Sequence, residues 1–398
     1  MKAIVAVLAT AATLLLGSAA AAEPPPRWPS RTHAESDIRL TLPRPTGPER
    51  IGTVSLHLVD WSRTDPWVLA VKARELIVQI WYPARSVHGH PRADWVSPGV
   101  AALVNPPGSG FALPTTHGHL GAPAAPGRRP VVLYSPGYGG LRTGSTALVE
   151  DLVSHGLVVV TIDHTHDAQF VEFPDGRIAT HAIPPLADDE AAALDRVLNV
   201  RVADTRFVLD KLTAVSRGRN PDASGRALPR GLARALDLSR VGMFGASFGG
   251  ATSAETMLAD RRVKAGLNLD GSFFGRVLVT GLDRPLLMMS SDTGDPADTT
   301  WEQMWSRLRG PRYWIQLKNA GHLSFTDSQV LLPQVGTPAQ DSEPLIGSID
   351  GERSIAVQRP YVRAFFDKHL RHRGGRLLAG PSARYPEMRF LPDDRRGR

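Results

Sequence analysis

The stretch VGMFGASFGGATSAETML, residues 241–258, decides the fold of this chain. An apolar run leads into Gly245-Ala246-Ser247-Phe248-Gly249, which fits the pattern G-x-S-x-G, and a helical pattern follows directly. The pattern alone is weak, because the chain contains 37 glycines. Its position between a strand and a helix is more specific, since that setting holds a serine at a helix N-terminus, where N–H groups favour developing negative charge. Ser247 is therefore a candidate nucleophile.

Short continuous apolar runs recur on both sides of this stretch. Their length and β-branched content are typical of strands buried on both faces of a parallel sheet. They cover residues 130–135, 156–163, 240–245, 263–270, 285–292 and 312–318. Helical patterns lie between them at 143–156, 190–212, 249–260 and 301–308. The alternation predicts an α/β fold in one domain, with a doubly wound, mostly parallel sheet and helices on both faces.

Three further segments complete the predicted domain. Residues 51–61 and 75–83 alternate in polarity and predict an antiparallel pair of strands. Residues 84–128 are rich in Pro, Gly and His, which predicts a long surface excursion. Near the C-terminus an apolar stripe at helical spacing predicts a helix that covers the sheet. The stripe consists of Tyr361, Val362, Phe365, Phe366 and Leu370.

The N-terminal residues have a different composition. Residues 1–22 combine Lys2, an apolar run and the small residues Ala20-Ala21-Ala22, the pattern of a secretory signal peptide cleaved near Ala22. The apolar run is shorter than the roughly 20 residues of a membrane span. We therefore predict a secreted protein, with an extended arm at 23–50 and a catalytic domain at 51–398. The chain has no cysteine, so packing rather than disulfides must stabilise it.

The overall charge is basic, with a formal net charge of +7. The arginines are scattered, and the densest runs, at 371–376 and 395–398, have no interleaved aromatic residues. This composition argues against a nucleic-acid partner and predicts at most weak contact with a membrane surface. No pattern indicates the oligomeric state.

A nucleophilic serine needs a base and an orienting acid. His322 in NAGHLSFTD follows the last predicted parallel strand and is the candidate base. The acid is open between Asp270 and Asp292, each at the end of a predicted strand, where open α/β sheets place their sites. Many proteins of this fold use the later strand, which favours Asp292.

An oxyanion hole needs two N–H donors. Phe248, directly after the serine, is the first candidate, and Tyr138 in the Gly-rich loop SPGYGG (135–140) is the second. A plain β-to-α turn would also require those glycines. His164, His166 and Asp167 in DHTHD suggest a metal site, but such spacing is more often found in ordinary loops. We predict no metal and no cofactor.

Several motifs together resemble the platelet-activating factor acetylhydrolases of the plasma and intracellular type II kind. The similar stretches are VQIWYPA at 78–84, PVVLYSPGYGGLRTGSTALVEDLVSHGLVVVTIDH at 130–164, LSRVGMFGASFGGATSAETMLADRRVKAGLNLDG at 238–271 and GHLSFTD at 321–327. The resemblance spans about residues 50–370. It implies an α/β-hydrolase fold, a serine esterase and a short acyl group on a substrate that includes phospholipids such as platelet-activating factor.

Carried over onto this sequence, the resemblance implies Ser247 as nucleophile, Asp270 as acid and His322 as base, with Tyr138 and Phe248 as oxyanion donors. It therefore favours Asp270 over Asp292. Ala246 and Pro136 stand where the family usually has histidines, and residues 331–350 have no counterpart, which leaves substrate choice open. The alternatives are a secreted lipase or polyesterase of broader specificity and, from another class, a non-catalytic binding protein with a hydrolase fold.

Overall fold

A computed structural model of the chain describes residues 38–185 and 190–391. The predicted signal peptide lies outside the described residues, as does the part of the predicted arm before residue 38. The described part of the arm packs onto the domain, because Leu40 and Leu42 are buried. Within the two described ranges, no helix is long and apolar enough to cross a membrane.

Fifteen β-strands form within the described residues. They are β1 (Ile38–Arg39), β2 (Arg50–Asp60), β3 (Arg74–Ala84), β4 (Arg92–Asp94), β5 (Phe111–Ala112), β6 (Thr115–Leu120), β7 (Arg129–Ser135), β8 (Val158–Asp163), β9 (Phe170–Glu172), β10 (Ile178–Thr180), β11 (Leu236–Ala246), β12 (Val263–Leu269), β13 (Leu286–Ser291), β14 (Arg312–Leu317) and β15 (Met388–Leu391). Eleven of them make one sheet, in the order β15-β14-β13-β12-β11-β7-β8-β3-β2-β6-β4. Strands β8, β7, β11, β12, β13 and β14 are mutually parallel. The short strands β4 and β15 lie at the two edges of the sheet.

Ten α-helices connect and cover these strands in the described part of the chain. They are α1 (Pro98–Val104), α2 (Thr146–Ser154), α3 (Glu190–Ser216), α4 (Leu232–Ala235), α5 (Phe248–Ala259), α6 (Val277–Thr280), α7 (Thr300–Arg307), α8 (Ser328–Gln334), α9 (Ala339–Ile346) and α10 (Gly351–Arg371). Short 3₁₀ helices form at His322–Phe325 and Arg376–Ala379. The predicted parallel strands, their connecting helices and the antiparallel pair β2–β3 are all present.

The core lies on both faces of the sheet, as a doubly wound fold requires. Helices α3, α5 and α7 pack on one face. Helices α2 and α10 pack on the other, and the predicted apolar stripe of α10 is buried there. Because both faces are covered, strands such as β7 and β8 consist of nearly continuous apolar residues.

The prediction of a surface excursion at 84–128 is wrong. Strand β6 in this segment pairs in parallel with β2 and so extends the main sheet, and Trp95 and Val100 are buried. The many proline and glycine residues turn the chain between short elements rather than keep it on the surface. The segment 331–350, which had no counterpart in the resemblance, supplies the end of α8 and all of α9.

Candidate active site

The G-x-S-x-G stretch forms a sharp turn between β11 and α5. Ser247 lies in this turn and has a φ of +55°, a backbone conformation that residues other than glycine rarely adopt. The turn is anchored by the Ser247 N–H, which donates to the Leu269 carbonyl at 2.7 Å. A Cβ on Gly249 would lie 2.0 Å from the Ser135 carbonyl oxygen, so only glycine fits there. The sequence therefore holds Ser247 in a strained and fixed conformation at the carboxyl edge of the sheet.

His322 and Asp270 are in direct contact. The Nδ1 atom of His322 lies 2.8 Å from Oδ2 of Asp270, and their side chains are 23% and 8% exposed. Because a carboxylate only accepts, this pairing sets the proton on Nδ1 and leaves Nε2 free to accept one. Ser291 donates to Asp270 from its N–H at 2.6 Å and its hydroxyl at 3.1 Å, which fixes the carboxylate.

Asp292 has a different environment. Its two carboxylate oxygens accept from the N–H groups of Asn319 at 2.7 Å and Ala320 at 3.0 Å. Asp292 therefore fixes the loop that leads into His322. It contacts only backbone N–H groups in these bonds, whereas Asp270 contacts the imidazole of His322. The geometry favours Asp270 as the acid, and the assignment of its role stays a prediction.

The two candidate oxyanion residues lie beside the serine. A Cβ placed on Gly137 would be 3.3 Å from Cβ of Ser247, so the loop after β7 runs next to the nucleophile. The rings of Tyr138 and Phe248 meet edge-to-face, with 6.2 Å between centroids. Burial, helped by the charge of Asp167, raises the pKa of the Tyr138 phenol to about 12, so this side chain is neutral at physiological pH.

Two open spaces meet at Ser247 and His322. One is a largely apolar cavity of about 150 Å³, lined by residues that include Trp95, Leu113 and Leu141. The other is a wider cleft of about 540 Å³ on the side of Asp270. Pro344 of the 331–350 segment, which had no counterpart in the resemblance, lines that cleft.

The DHTHD motif lies beneath the site and forms a buried polar network. Nε2 of His164 lies 3.0 Å from Oγ of Ser135, and its Nδ1 lies 3.1 Å from Asp204. These three residues resemble a catalytic triad, but all are buried beyond the reach of a substrate. Asp167 pairs with Arg201, and His166 bonds a backbone carbonyl. Among the residues described, no group of three His, Asp or Glu side chains is arranged to hold a metal ion.

A histidine–carboxylate pair beside a serine in a strained strand-to-helix turn, on a doubly wound sheet, defines an α/β hydrolase. Residues 80–374 match the family model described as platelet-activating factor acetylhydrolase, isoform II, and the chain belongs to that family. The resemblance predicted from the motifs is confirmed.

Individual relatives agree with this family. The chain is 29% identical to a probable 1-alkyl-2-acetylglycerophosphocholine esterase of Arthroderma benhamiae, covering 88% of this chain and 93% of that protein. It is 26% identical to the platelet-activating factor acetylhydrolase of Cavia porcellus, over 61% of this chain and 57% of that one. Among solved structures, a ferulic acid esterase from Streptomyces cinnamoneus is similar, with a TM-score of 0.75, 37% identity and coverage of 88% and 99%. The predicted enzyme class, an ester hydrolase, is confirmed.

Proposed function

We propose that this chain is a secreted serine esterase that hydrolyses carboxylic esters with short acyl groups through an acyl-enzyme. The observation that carries the proposal is the contact between His322 and Asp270 at 2.8 Å, in a site where Ser247 and His322 line the same two spaces. No step in this chemistry needs a metal or an organic cofactor.

The reaction has two matching halves. The Oγ atom of Ser247 attacks the ester carbonyl while Nε2 of His322 takes the hydroxyl proton, and Asp270 stabilises the imidazolium. The N–H groups of Tyr138 and Phe248 donate to the oxyanion of the tetrahedral intermediate. Collapse breaks the bond to the alcohol, which leaves with the proton from His322. Water then attacks the acyl-enzyme in the same way and releases the acid.

The size of the apolar cavity supports a compact acyl group. An engineered apolar cavity of about 150 Å³ accommodates benzene, so a space of this volume suits an acyl group from acetyl to butyryl or a single ring. We place the acyl group in the cavity and the alcohol in the wider cleft. An acetylated ether phospholipid, the ester named for the Arthroderma relative, fits this division. An aromatic acyl ester is the second candidate, because one of the similar solved structures is a ferulic acid esterase.

An ester panel tests the acyl preference. We expect kcat/KM for butyryl esters to exceed that for palmitoyl esters by at least about tenfold, because a long chain cannot enter the cavity without forcing its walls apart. The panel contains acetyl, butyryl, feruloyl and palmitoyl esters of one alcohol and an acetylated ether phosphocholine, all below their aggregation limits. Faster hydrolysis of the palmitoyl ester would contradict the assignment.

Two leucine variants provide the matched comparison for that panel. Leu113 lines the cavity, whereas Leu40 belongs to the same hydrophobic cluster but does not line it. Leu113→Ala should therefore reduce the ratio of kcat/KM for butyryl esters to kcat/KM for palmitoyl esters, and Leu40→Ala should leave this ratio unchanged.

Secretion rests on the leader at residues 1–22. When the full chain is expressed in a secreting bacterial host, we expect active protein in the medium with a new N-terminus at or near Glu23, as read by N-terminal sequencing. Active protein retained in the cells with residues 1–22 intact would contradict secretion and leave the esterase proposal untouched.

A further inference from the structure

The loop that follows β7 is a tight turn whose shape depends on one carbonyl. The Gly137 carbonyl accepts from the Gly140 N–H at 3.0 Å, which closes the turn over residues 137–140. Gly139 has a φ of +70°, as a type II turn requires at its third position. Tyr138, the candidate oxyanion donor, is the second residue of this turn.

Arg201 holds the same loop from below. It lies on α3, its side chain is 1% exposed, and its guanidinium donates to two consecutive carbonyls of the loop. Nη1 reaches the Pro136 oxygen at 2.5 Å, and Nη2 reaches the Gly137 oxygen at 2.9 Å.

The planarity of the peptide bond converts this contact into an orientation for Tyr138. The Gly137 carbonyl and the Tyr138 N–H belong to one planar trans peptide unit and point in opposite directions. Fixing the carbonyl towards Arg201 therefore aims the N–H away from it. The Arg201 guanidinium also lies 5.1 Å from the ring centroid of Phe248, so one group contacts both the peptide unit that carries the Tyr138 N–H and the side chain of Phe248.

Asp167 fixes Arg201 in turn. Its carboxylate accepts from Nε of Arg201 at 2.6 Å and from Nη2 at 2.7 Å, a two-pronged pairing that sets the plane of the guanidinium. The same carboxylate accepts from the Gly139 N–H at 3.1 Å. Burial acts to raise the pKa of Asp167, but the charge and hydrogen bonds of Arg201 outweigh it and hold that pKa below its usual range. The Asp167 carboxylate is therefore ionised, and together Arg201 and Asp167 hold the carbonyl of Gly137 and the N–H of Gly139 within the turn.

We propose that Arg201, oriented by Asp167, is a positioning residue that fixes the Tyr138 N–H for oxyanion stabilisation during ester hydrolysis. The proposal rests on the proposed function, because it presupposes that ester hydrolysis forms an oxyanion beside the Tyr138 N–H. It assigns Arg201 no contact with the substrate. Lysine keeps the charge but has no planar fork, so it cannot hold two carbonyls and Asp167 in one plane.

The experiment compares Arg201→Lys with the wild type in two measurements. We expect kcat for a butyryl ester to fall by about 10- to 100-fold with KM nearly unchanged, somewhat less than the loss of 10²- to 10³-fold caused by deleting an oxyanion donor. The inhibition constant of a trifluoromethyl ketone, whose adduct with the serine carries an oxyanion, should rise by the same factor. Binding of the matched alcohol, which forms no oxyanion, should not change.

Arg359→Lys is the matched control. Arg359 is also a buried arginine, and it donates to the carbonyls of Pro43, Arg44 and Ala147 on the other face of the sheet. This variant should lose thermal stability but keep kcat and the affinity for the ketone. If Arg201→Lys does not fold, the same measurements are made on Asp167→Asn. This variant should fold, since its amide oxygen can still accept from Gly139 or Arg201.

Either of two results for Arg201→Lys would overturn the proposed positioning role of Arg201. One is a kcat and a ketone affinity close to those of the wild type, and the other is an equal loss of affinity for ketone and alcohol. Failure of the proposed function is a separate result. In that case the wild type itself would hydrolyse no ester and would not react with the ketone at Ser247.

Discussion

Ser247→Ala is expected to lower kcat for ester hydrolysis by about 10³-fold or more while the protein folds normally. The reason is that the substitution removes the proposed attacking oxygen and little else. Alanine retains the Cβ atom, so the strained φ of +55° and the contacts of the turn persist. The measurement is kcat for nitrophenyl butyrate, with the melting temperature of each variant as the check on folding.

Ser253→Ala is the control for this substitution. Ser253 lies in α5, the helix that follows Ser247, is buried, and donates to the Met243 carbonyl at 3.1 Å. Its replacement should reduce stability by about 1 kcal/mol through the lost hydrogen bond and leave kcat close to that of the wild type. Mass spectrometry after reaction with a fluorophosphonate should find the adduct on Ser247. An adduct on another serine would refute the assignment, and no adduct at all would favour the non-catalytic binding protein.

Asp270→Asn is expected to lower kcat by an amount approaching 10⁴-fold, the approximate loss for the equivalent substitution in a well-studied serine protease. Asp270 accepts from Nδ1 of His322, and an asparagine amide there can donate instead, which favours the wrong tautomer of the imidazole. The fold should survive, because the amide oxygen can still accept from the Ser291 N–H. Activity is compared at equal folded fraction.

Asp292→Asn separates the two candidate acids. Its carboxylate holds the backbone at Asn319 and Ala320, and one amide oxygen retains part of that bonding. Activity should therefore stay within about tenfold of the wild type. A larger loss of activity in Asp292→Asn than in Asp270→Asn would assign the role of the acid to Asp292, directly after β13.

The regular part of the fold could be predicted because its elements depend on local patterns. Continuous apolar runs identified the parallel strands, and the stripe from Tyr361 to Leu370 identified the covering helix. The segment 84–128 could not be predicted in the same way. Its strand β6 gains its partner β2 from a distant part of the chain, and its apolar residues are separated by turn residues that conceal any period.

The candidate site residues that lie at the ends of strands could be predicted from the sequence. Ser247, Asp270 and His322 lie together as expected, since parallel strands bring their carboxyl ends to one edge. Strand position alone could not choose between Asp270 and Asp292, because the choice depends on which side chain turns towards the imidazole.

Arg201 was missed, although the sequence carries a signal for it. The arginine falls on the buried face of α3, in register with Leu194, Leu198 and Val208. An arginine at the spacing of buried apolar residues indicates a buried partner, since arginine is rarely buried unpaired. The identity of that partner, Asp167, depends on tertiary contacts between distant segments.

The two edges of the main sheet have a consequence for how the protein behaves at high concentration. An exposed edge strand can act as a template on which another chain adds a strand, which leads to aggregation. Strand β4 has three residues, two of which are the exposed charged residues Arg92 and Asp94, and β15 has four residues. Edges this short and, at β4, this charged offer a second copy little backbone to pair with, so we expect them to disfavour edge-to-edge association of two sheets and the fibrils that follow from it.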